Sequence, residues 1–461
     1  MSIQAVSGKK VSVIGAERSG VAVAQLLHSH NVKVFVSDFG SSESTQQHIA
    51  ELRLGNIAGE FGGHSDAVYD CSVMVISPGV PTNAPVVLEA QKRGINVVAE
   101  IEVASWFCQG PIIAITGSNG KTTTTTLLGR IFSDAKKKHV VAGNIGTAFS
   151  SLVLDVDPET VVILEVSSFQ LDFINTFRPK IAVILNITQN HLDRYNNSME
   201  QYASSKARMV MNQTAEDFLI SNADDEWTKK QVKSQKSKVI QFSTKRTIDE
   251  GAFEENRMLM TVIDREEHPI IAIDDISIKG EHNLQNAMAA ALAAQLMGIK
   301  PAHIKSTLRN FKGVEHRQEF VREVNGIKYI NNSKATTVEA VEMALKSYKD
   351  PIVLILGGKD KGNDYSTIFD LVKKKVKAIV ATGYSADTIV KNFSEIVPVT
   401  KVATIGDTKP NIESMKKVIE TATSLSIKGD VILLSPACTS FDWFKDYEER
   451  GRVFKQLVNQ L

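Results

Sequence analysis

The sequence predicts an α/β fold in three domains, and three observations predict it. The chain has 461 residues, room for several domains at roughly 100–200 residues each. Short β-branched runs alternate with stretches of helical period, the pattern of parallel sheets covered on both faces. These alternations fall into three series, which divide the chain into residues 1–99, 100–313 and 314–461.

Composition narrows the class before any motif is read. Hydrophobic residues make up 43% and charged residues 23%, ordinary for a globular protein. Lysine and arginine total 53 against 52 acids, a net charge of +1, which argues against a nucleic-acid binder. The longest apolar runs, such as Val161–Leu164 and Ile181–Leu185, are too short to span a bilayer. Met1–Lys10 carries no apolar core of signal-peptide length. Cys71, Cys108 and Cys438 are few, odd in number and far apart. A disulfide framework or a four-cysteine zinc site is therefore not expected, and a cytoplasmic location is. The chain is expected to be a monomer with no membrane insertion.

The first series opens with strand candidates Lys10–Ile14, Val32–Ser37 and Val73–Ser77, with a helix over Val21–His30, and closes on Ile95–Val98. Gly15 and Gly20 bracket the turn after the first strand, and Asp38 ends the next strand about twenty residues on, a Rossmann-like arrangement. Glu17 stands where the middle glycine would let backbone approach a pyrophosphate, which argues against NAD. The simple alternative for Asp38 is a strand-end cap.

The second series carries strands at Ile112–Thr116, Val161–Val166 and Ile181–Ile187 and a helix over Thr122–Ser133. Charged, strand-poor sequence interrupts it around Lys229–His268, with scattered runs such as Lys238–Phe242 and Met258–Ile263, before an Ala-rich helix over Asn283–Met297. The third series follows the connection Asn310–Glu315. It contains a helix over Val338–Ser347 and strands at Ile352–Leu356, Ala378–Ala381 and Val431–Leu434, again Rossmann-like.

The strongest local signal is the turn Gly117, Ser118, Asn119, Gly120 between a strand and the helix that starts with Lys121 and Thr122. Turn amides and a helix amino end together cradle phosphate. Lys121 would reach the β- and γ-phosphates, and the Thr122 hydroxyl would ligate Mg²⁺. The pattern points to a central P-loop ATPase-like mixed-sheet domain but is incomplete, because Ile115 occupies the first glycine position; a generic strand–helix turn is the plain alternative. Glu165 and His191 follow the next two strands at their carboxyl ends, where open α/β sheets bind ligands. Glu165 could ligate Mg²⁺ or simply form a surface ion pair, and a lone histidine is more often structural. Their shared topological position with Lys121 favours a site.

Beyond these, the chain carries Glu165-Val-Ser-Ser-Phe-Gln-Leu171, Asn186-Ile-Thr-Gln-Asn-His-Leu-Asp193, Gly280-Glu-His-Asn283-Leu-Gln-Asn286 and His316-Arg317. Asn332-Ser-Lys-Ala-Thr336, Leu356-Gly-Gly-Lys-Asp-Lys361 and Leu434-Ser-Pro-Ala-Cys-Thr-Ser440-Phe-Asp442 come later. In this order the motifs resemble the Mur ligase family of ATP-dependent amide ligases, over nearly the whole chain. The last two are most similar to the branch that adds D-glutamate to UDP-N-acetylmuramoyl-L-alanine in peptidoglycan precursor synthesis.

The resemblance implies roles residue by residue. Residues Gly117, Ser118, Asn119, Gly120, Lys121, Thr122 and Thr123 would bind ATP, with Asn283, Arg317 and Asn332 as further nucleotide contacts. Lys121, His191 and Lys206 would be catalytic, and Lys206 would be carbamylated. Two Mg²⁺ ions would be shared among Thr122, Glu165, His191 and the Lys206 carbamate. Ser19, Asp38, Gly79, Asn144 and His191 would contact the sugar nucleotide. Lys334, Thr336, Lys361, Ser440, Phe441 and Tyr447 would surround the incoming D-glutamate, with Ser440 and Phe441 at the start of a helix. Without the resemblance Lys206 reads as an exposed helical lysine, Lys361 as a loop charge, Ser440 as a helix cap and Cys438 as a small core residue.

Four positions depart from the family pattern. Tyr447 stands where phenylalanine is usual, Asn332 where many relatives have aspartate, and Glu17 and Arg18 differ from the common Gly-rich versions. Two further readings stay open from sequence: a folylpolyglutamate synthase-like ligase, a family without a separate amino-terminal UDP-binding domain, and a non-catalytic nucleotide-binding module.

Overall fold

The computed structural model describes Val6 and residues 8–461 other than 191, 233, 234, 361 and 407; for 43, 44 and 193 it describes backbone alone. His191 and Lys361 thus lie outside the described residues. The chain forms two compact units, Met1–Phe311 and Lys312–Leu461.

The first unit begins with β1 (Lys10–Ile14), β2 (Lys33–Asp38), β3 (Ala58–Phe61), β4 (Val73–Ile76) and β5 (Asn96–Ala99). They pair in parallel in the order β3-β2-β1-β4-β5. The apolar runs of β1 and β4 are buried throughout from Val11 and Val73 onward. Helix α1 (Arg18–Ser29) covers β1 with Val23, Ala24 and Leu27.

A nine-stranded sheet follows in the same unit. Its strands are β6 (Ile112–Thr116), β7 (His139–Gly143), β8 (Val161–Glu165), β9 (Ile181–Ile184), β10 (Phe218–Asn222), β11 (Lys238–Ser243), β12 (Gly251–Glu255), β13 (Met258–Ile263) and β14 (Glu266–Ala272). The order is β14-β13-β12-β11-β10-β9-β6-β8-β7, and only the β12–β13 and β13–β14 pairs are antiparallel. The mixed sheet is the one expected of the central domain, but one expectation about it is corrected. The stretch around Lys229–His268 is not strand-poor but supplies most of β11 to β14. Its hairpin turns use Asn256-Arg257 and Asp264-Arg265, all with positive φ, so the glycine signal that usually marks such turns is missing.

Strand β6 has β8 on one side and β9 on the other. The strand order therefore reverses there, which opens a ligand crevice at the carboxyl ends. Two helices line that end: α2 (Lys121–Asp134), which starts straight after the β6 turn, and α3 (Met199–Ala207). Helix α4 (Glu281–Leu296) packs its buried alanines, Ala287, Ala290, Ala291 and Ala294 among them, beside α2.

The two sheets of this unit are clasped where β5 ends. The Ala99 N–H donates to the Phe173 carbonyl at 2.8 Å. Glu102, 0% exposed, accepts from the backbone N–H groups of Asn175, Thr176 and Phe177, the Thr176 hydroxyl and the Trp106 indole. Burial alone would raise its pKa. The donors, Thr176 first, outweigh burial and hold the carboxyl below the ordinary glutamate value.

The second unit holds β15 (Glu319–Val324), β16 (Ile327–Asn331), β17 (Ile352–Gly357), β18 (Val376–Thr382), β19 (Val399–Lys401) and β20 (Val431–Leu434). Their order is β15-β16-β20-β17-β18-β19, antiparallel only at β15–β16. Helix α5 (Tyr447–Asn459) closes the chain. Among the described residues no helix is long and apolar enough to cross a membrane.

Candidate active site

The phosphate turn is built as its sequence requires. Strand β6 is buried at every position, so its carboxyl end is rigid. Gly120 takes φ 84°, and a Cβ there would lie 2.3 Å from Asn286 Oδ1. Only glycine meets both conditions. Gly120→Ala is expected to lower stability by about 1–3 kcal/mol and to weaken ATP binding; thermal melts with and without ATP check both. Lys121 Nζ donates to the carbonyls of Gly117 (2.8 Å) and Ser118 (3.1 Å), lying over the turn. Thr123, half-buried, is the third helical residue.

Ser118 joins the turn to its neighbours. Its hydroxyl donates to the Thr188 carbonyl at 2.8 Å, accepts the Thr188 N–H at 2.9 Å and shares a 3.0 Å hydrogen bond with the Tyr202 hydroxyl. The Asn119 N–H donates to Asn186 Oδ1 at 2.9 Å. Asn283 donates to the Lys279 carbonyl and accepts from Asn286, whose Oδ1 accepts the Thr124 hydroxyl. Asn283 is thereby tied to the phosphate helix.

Glu165 is 2% exposed and is not a surface acid. Its register beside Ile115 and Gly143 puts the carboxylate at the turn. One oxygen accepts the Thr122 hydroxyl at 2.8 Å and the other the Asn144 amide at 3.1 Å. A hydroxyl and a carboxylate converging at a phosphate turn make an all-oxygen donor set, which fits Mg²⁺.

Lys206 departs most from its plain reading. It is 1% exposed, not an exposed helical lysine. Its Nζ donates to the Gly117 carbonyl at 3.0 Å and the Thr116 hydroxyl at 3.5 Å, and lies 4.7 Å from the Tyr202 ring centre. Burial drives its pKa well below the usual lysine range. The Lys121 charge acts in the same direction, and Asp172 opposes them. The amine is therefore held toward its neutral, nucleophilic form.

In the amino-terminal sheet Asp38 accepts the Ala16 N–H at 2.6 Å and the Gly40 N–H at 2.7 Å, bracing the turn between β1 and α1. Ser19 lies half-buried on α1, Gly79 is exposed after β4, and Asn144 is exposed after β7. Asn144 and the Lys121 turn meet at Glu165.

In the second unit Asn332 is buried, accepting the Gln318 N–H at 3.1 Å and donating to the Ser435 hydroxyl at 3.0 Å. Its side chain thus steadies the loop that carries exposed Arg317. The Lys334 Nζ lies 5.8 Å from the Tyr447 ring centre, and the Thr336 N–H donates to the Lys334 carbonyl at 2.9 Å. Phe441 is exposed. One expectation is corrected: Ser440 and Phe441 do not start a helix. The Ser440 carbonyl accepts from Trp443 and Phe444 in a single turn, and α5 begins only at Tyr447. The helix instead starts where Asp446 caps it, its side chain accepting the Glu449 N–H at 2.7 Å. Cys438 is a buried core residue whose thiol burial pushes up in pKa.

The profile described as Mur ligase middle domain matches residues 115–294. That of the Mur ligase, glutamate ligase domain matches 316–438, and that of the Mur ligase MurD-like, N-terminal domain matches 9–99. A protein of Chloroherpeton thalassium named UDP-N-acetylmuramoylalanine--D-glutamate ligase is 42% identical, with 100% of each chain covered. This chain belongs to the Mur ligase family. A Salinibacter ruber protein of the same name is 40% identical over 98% of each chain. The Mur ligase fold is shared with a solved structure, UDP-N-acetylmuramate-alanine ligase of Thermotoga maritima. Its TM-score is 0.58 at 19% identity, covering 98% of this chain and 99% of that one. The amino-terminal match separates this Mur ligase from a folylpolyglutamate synthase-like enzyme.

Sequence reasoning missed three residues of this Mur ligase that the structure brings in. Tyr202 sits one helical turn before Lys206, and that spacing was the available signal. Asn286 stood inside a motif already singled out. Arg450, buried on α5, donates to the Ser333 carbonyl (2.9 Å) and the Cys438 carbonyl (3.1 Å). It ties the Asn332–Lys334 loop to the Cys438–Ser440 loop, and nothing local in the sequence marks it.

Proposed function

We propose that this Mur ligase joins the carboxylate of UDP-N-acetylmuramoyl-L-alanine to the amino group of D-glutamate with consumption of ATP, in peptidoglycan precursor synthesis. The observation that carries the chemistry is the buried amine of Lys206 against the phosphate turn. The choice of amino acid follows the names of the full-length relatives.

A carboxylate is a poor electrophile because oxide is a poor leaving group. One carboxylate oxygen attacks the γ-phosphorus and ADP leaves, giving an acyl phosphate. The D-glutamate amine attacks the acyl carbon, a tetrahedral intermediate forms, phosphate departs and the amine proton is lost to solvent. Lys121 offsets charge on the transferring phosphoryl group, and the turn amides orient it.

ATP and Mg²⁺ are the cofactors of the family. Thr122 and Glu165 would hold one ion; His191 and a carbamate on Lys206 would hold a second. Bound Mg²⁺ lowers the repulsion between triphosphate and carboxylate. A lowered pKa favours carbamylation: the uncharged Lys206 nitrogen would attack CO₂ and lose one proton, leaving an anionic carbamate whose oxygens can serve as ligands. The protein would act as a cytoplasmic monomer. Residues 1–99 would hold the sugar nucleotide through Ser19, Asp38 and Gly79, with Asn144 added from 100–313. Residues 314–461 would hold D-glutamate through Lys334, Thr336, Lys361, Ser440, Phe441 and Tyr447, with Arg317 and Asn332 serving the nucleotide.

ADP release from purified protein, with the sugar nucleotide and one amino acid at a time, tests this reading. Release with D-glutamate is expected. Release only with L-lysine or diaminopimelate would move the protein to another branch of the family.

A further inference from the structure

Glu100 opens the short helix Glu100–Ser105 after β5, yet it is 1% exposed. Its Oε1 accepts both the N–H of Ser150, at 2.7 Å, and the Ser150 hydroxyl, at 2.5 Å. Burial raises its pKa; the Ser150 bonds and the nearby charge of Arg18, the first residue of α1, act against that. A buried carboxyl is costly unless its partners are fixed, so this contact pins Ser150 to the helix start that follows β5.

Ser150 lies in the short helix Phe149–Leu152, which follows a loop that leaves β7 at Gly143, the register partner of Glu165. The Gly143 N–H donates to the Thr147 carbonyl at 3.1 Å, and the Asn144 N–H donates to the Glu165 carbonyl at 2.9 Å. A Cβ on Gly143 would lie 2.3 Å from that same Glu165 carbonyl, so the backbones are in direct contact. The Asn144 amide then donates to Glu165 Oε1, while Oε2 accepts the Thr122 hydroxyl. Hydrogen bonds and short backbone segments therefore run unbroken from Glu100 to Thr122.

We infer that Glu100 is a positioning residue: through Ser150 and the 143–150 loop it fixes Asn144, and so sets the Glu165 carboxylate for Mg²⁺·ATP. This rests on the proposed placement of Mg²⁺ at Thr122 and Glu165. Partners behind a metal ligand tune affinity by holding the ligand's orientation. Here the partner is the first residue after β5, so the junction between the amino-terminal sheet and the phosphate-turn sheet contributes to how tightly the metal–nucleotide complex is held.

The test is ATP binding by the full-length protein, measured by filtration while MgCl₂ is titrated, for wild type, Glu100→Ala and Ser150→Ala. Both variants are expected to raise the Mg²⁺ midpoint by on the order of three- to tenfold, with ATP binding in EDTA unchanged. A purely structural role would lower the melting temperature and leave the midpoint alone; that result in both variants would overturn the inference. Ser150→Ala deletes a single hydroxyl, so it keeps the test decisive should Glu100→Ala not fold. Wild-type protein without D-glutamate-dependent ADP release would sink the proposed reaction while leaving this titration to be read on its own.

Discussion

Lys206→Ala is expected to cut D-glutamate-dependent ADP release by about 10²–10³-fold, and a small carboxylic acid such as formate should restore part of it. The loss follows from where Lys206 lies. Its nitrogen touches the Gly117 carbonyl of the phosphate turn, so any anion built on it faces the transferring phosphate. The rescue separates a carbamate from an ammonium role, since a free carboxylate supplies the missing oxygens but no positive charge. Lys206→Arg keeps a cation and cannot be carbamylated at an ordinary amine, so it should be as inactive as alanine and also rescued poorly, because its bulk fills the space. Full activity in Lys206→Ala would remove the carbamate from the mechanism. The helix beneath should survive the substitution, because alanine is the best helix former and the lost contacts are polar.

The second large effect is on stability. Glu102→Gln is expected to destabilise the first unit by about 3 kcal/mol and to lower its melting temperature by roughly 5–10 °C. A carboxylate accepts at both oxygens; a glutamine amide must present an NH₂ to N–H donors whichever way it turns. Asn175, Thr176 and Phe177 supply such donors to one oxygen, and Trp106 and Thr176 to the other. The pH dependence has a definite sign. The folded pKa lies below the ordinary 4.5, so the contribution is complete above that value and is lost as pH falls through the folded pKa. Urea unfolding should therefore show a wide gap between wild type and Glu102→Gln at neutral pH that narrows in acid. An unchanged unfolding midpoint at neutral pH would show that the clasp contributes nothing.

Much of this architecture is legible from periodicity. Lys10–Ile14, Ile112–Thr116 and Val431–Leu434 are strands with the bounds their apolar runs predict, and Val338–Ser347 is a helix with its predicted bounds. The misses share a cause. Strand β16 alternates only briefly before a polar motif, and β15 and β14 are half-exposed edge or hairpin strands whose charges hide their period. Tight turns at Asn256-Arg257 and Asp264-Arg265 carry no glycine to announce them. Ser440 reads as a helix cap and the resemblance places it at a helix start, but the chain makes one turn and delays the helix to Tyr447.

The sequence by itself determined the alternation of strands and helices, the phosphate turn with Lys121 and Thr122, and the acid at the end of the next central strand. Each is local: a few neighbouring residues carry the whole signal. Only the tertiary structure decided that Lys206 is buried and deprotonation-prone, that Tyr202 meets Ser118, that Arg450 joins two loops, and that Glu100 and Glu102 clasp two sheets. Those properties depend on partners tens of residues away. Desolvation and hydrogen bonding act through space, and a linear pattern records neither until the chain has folded.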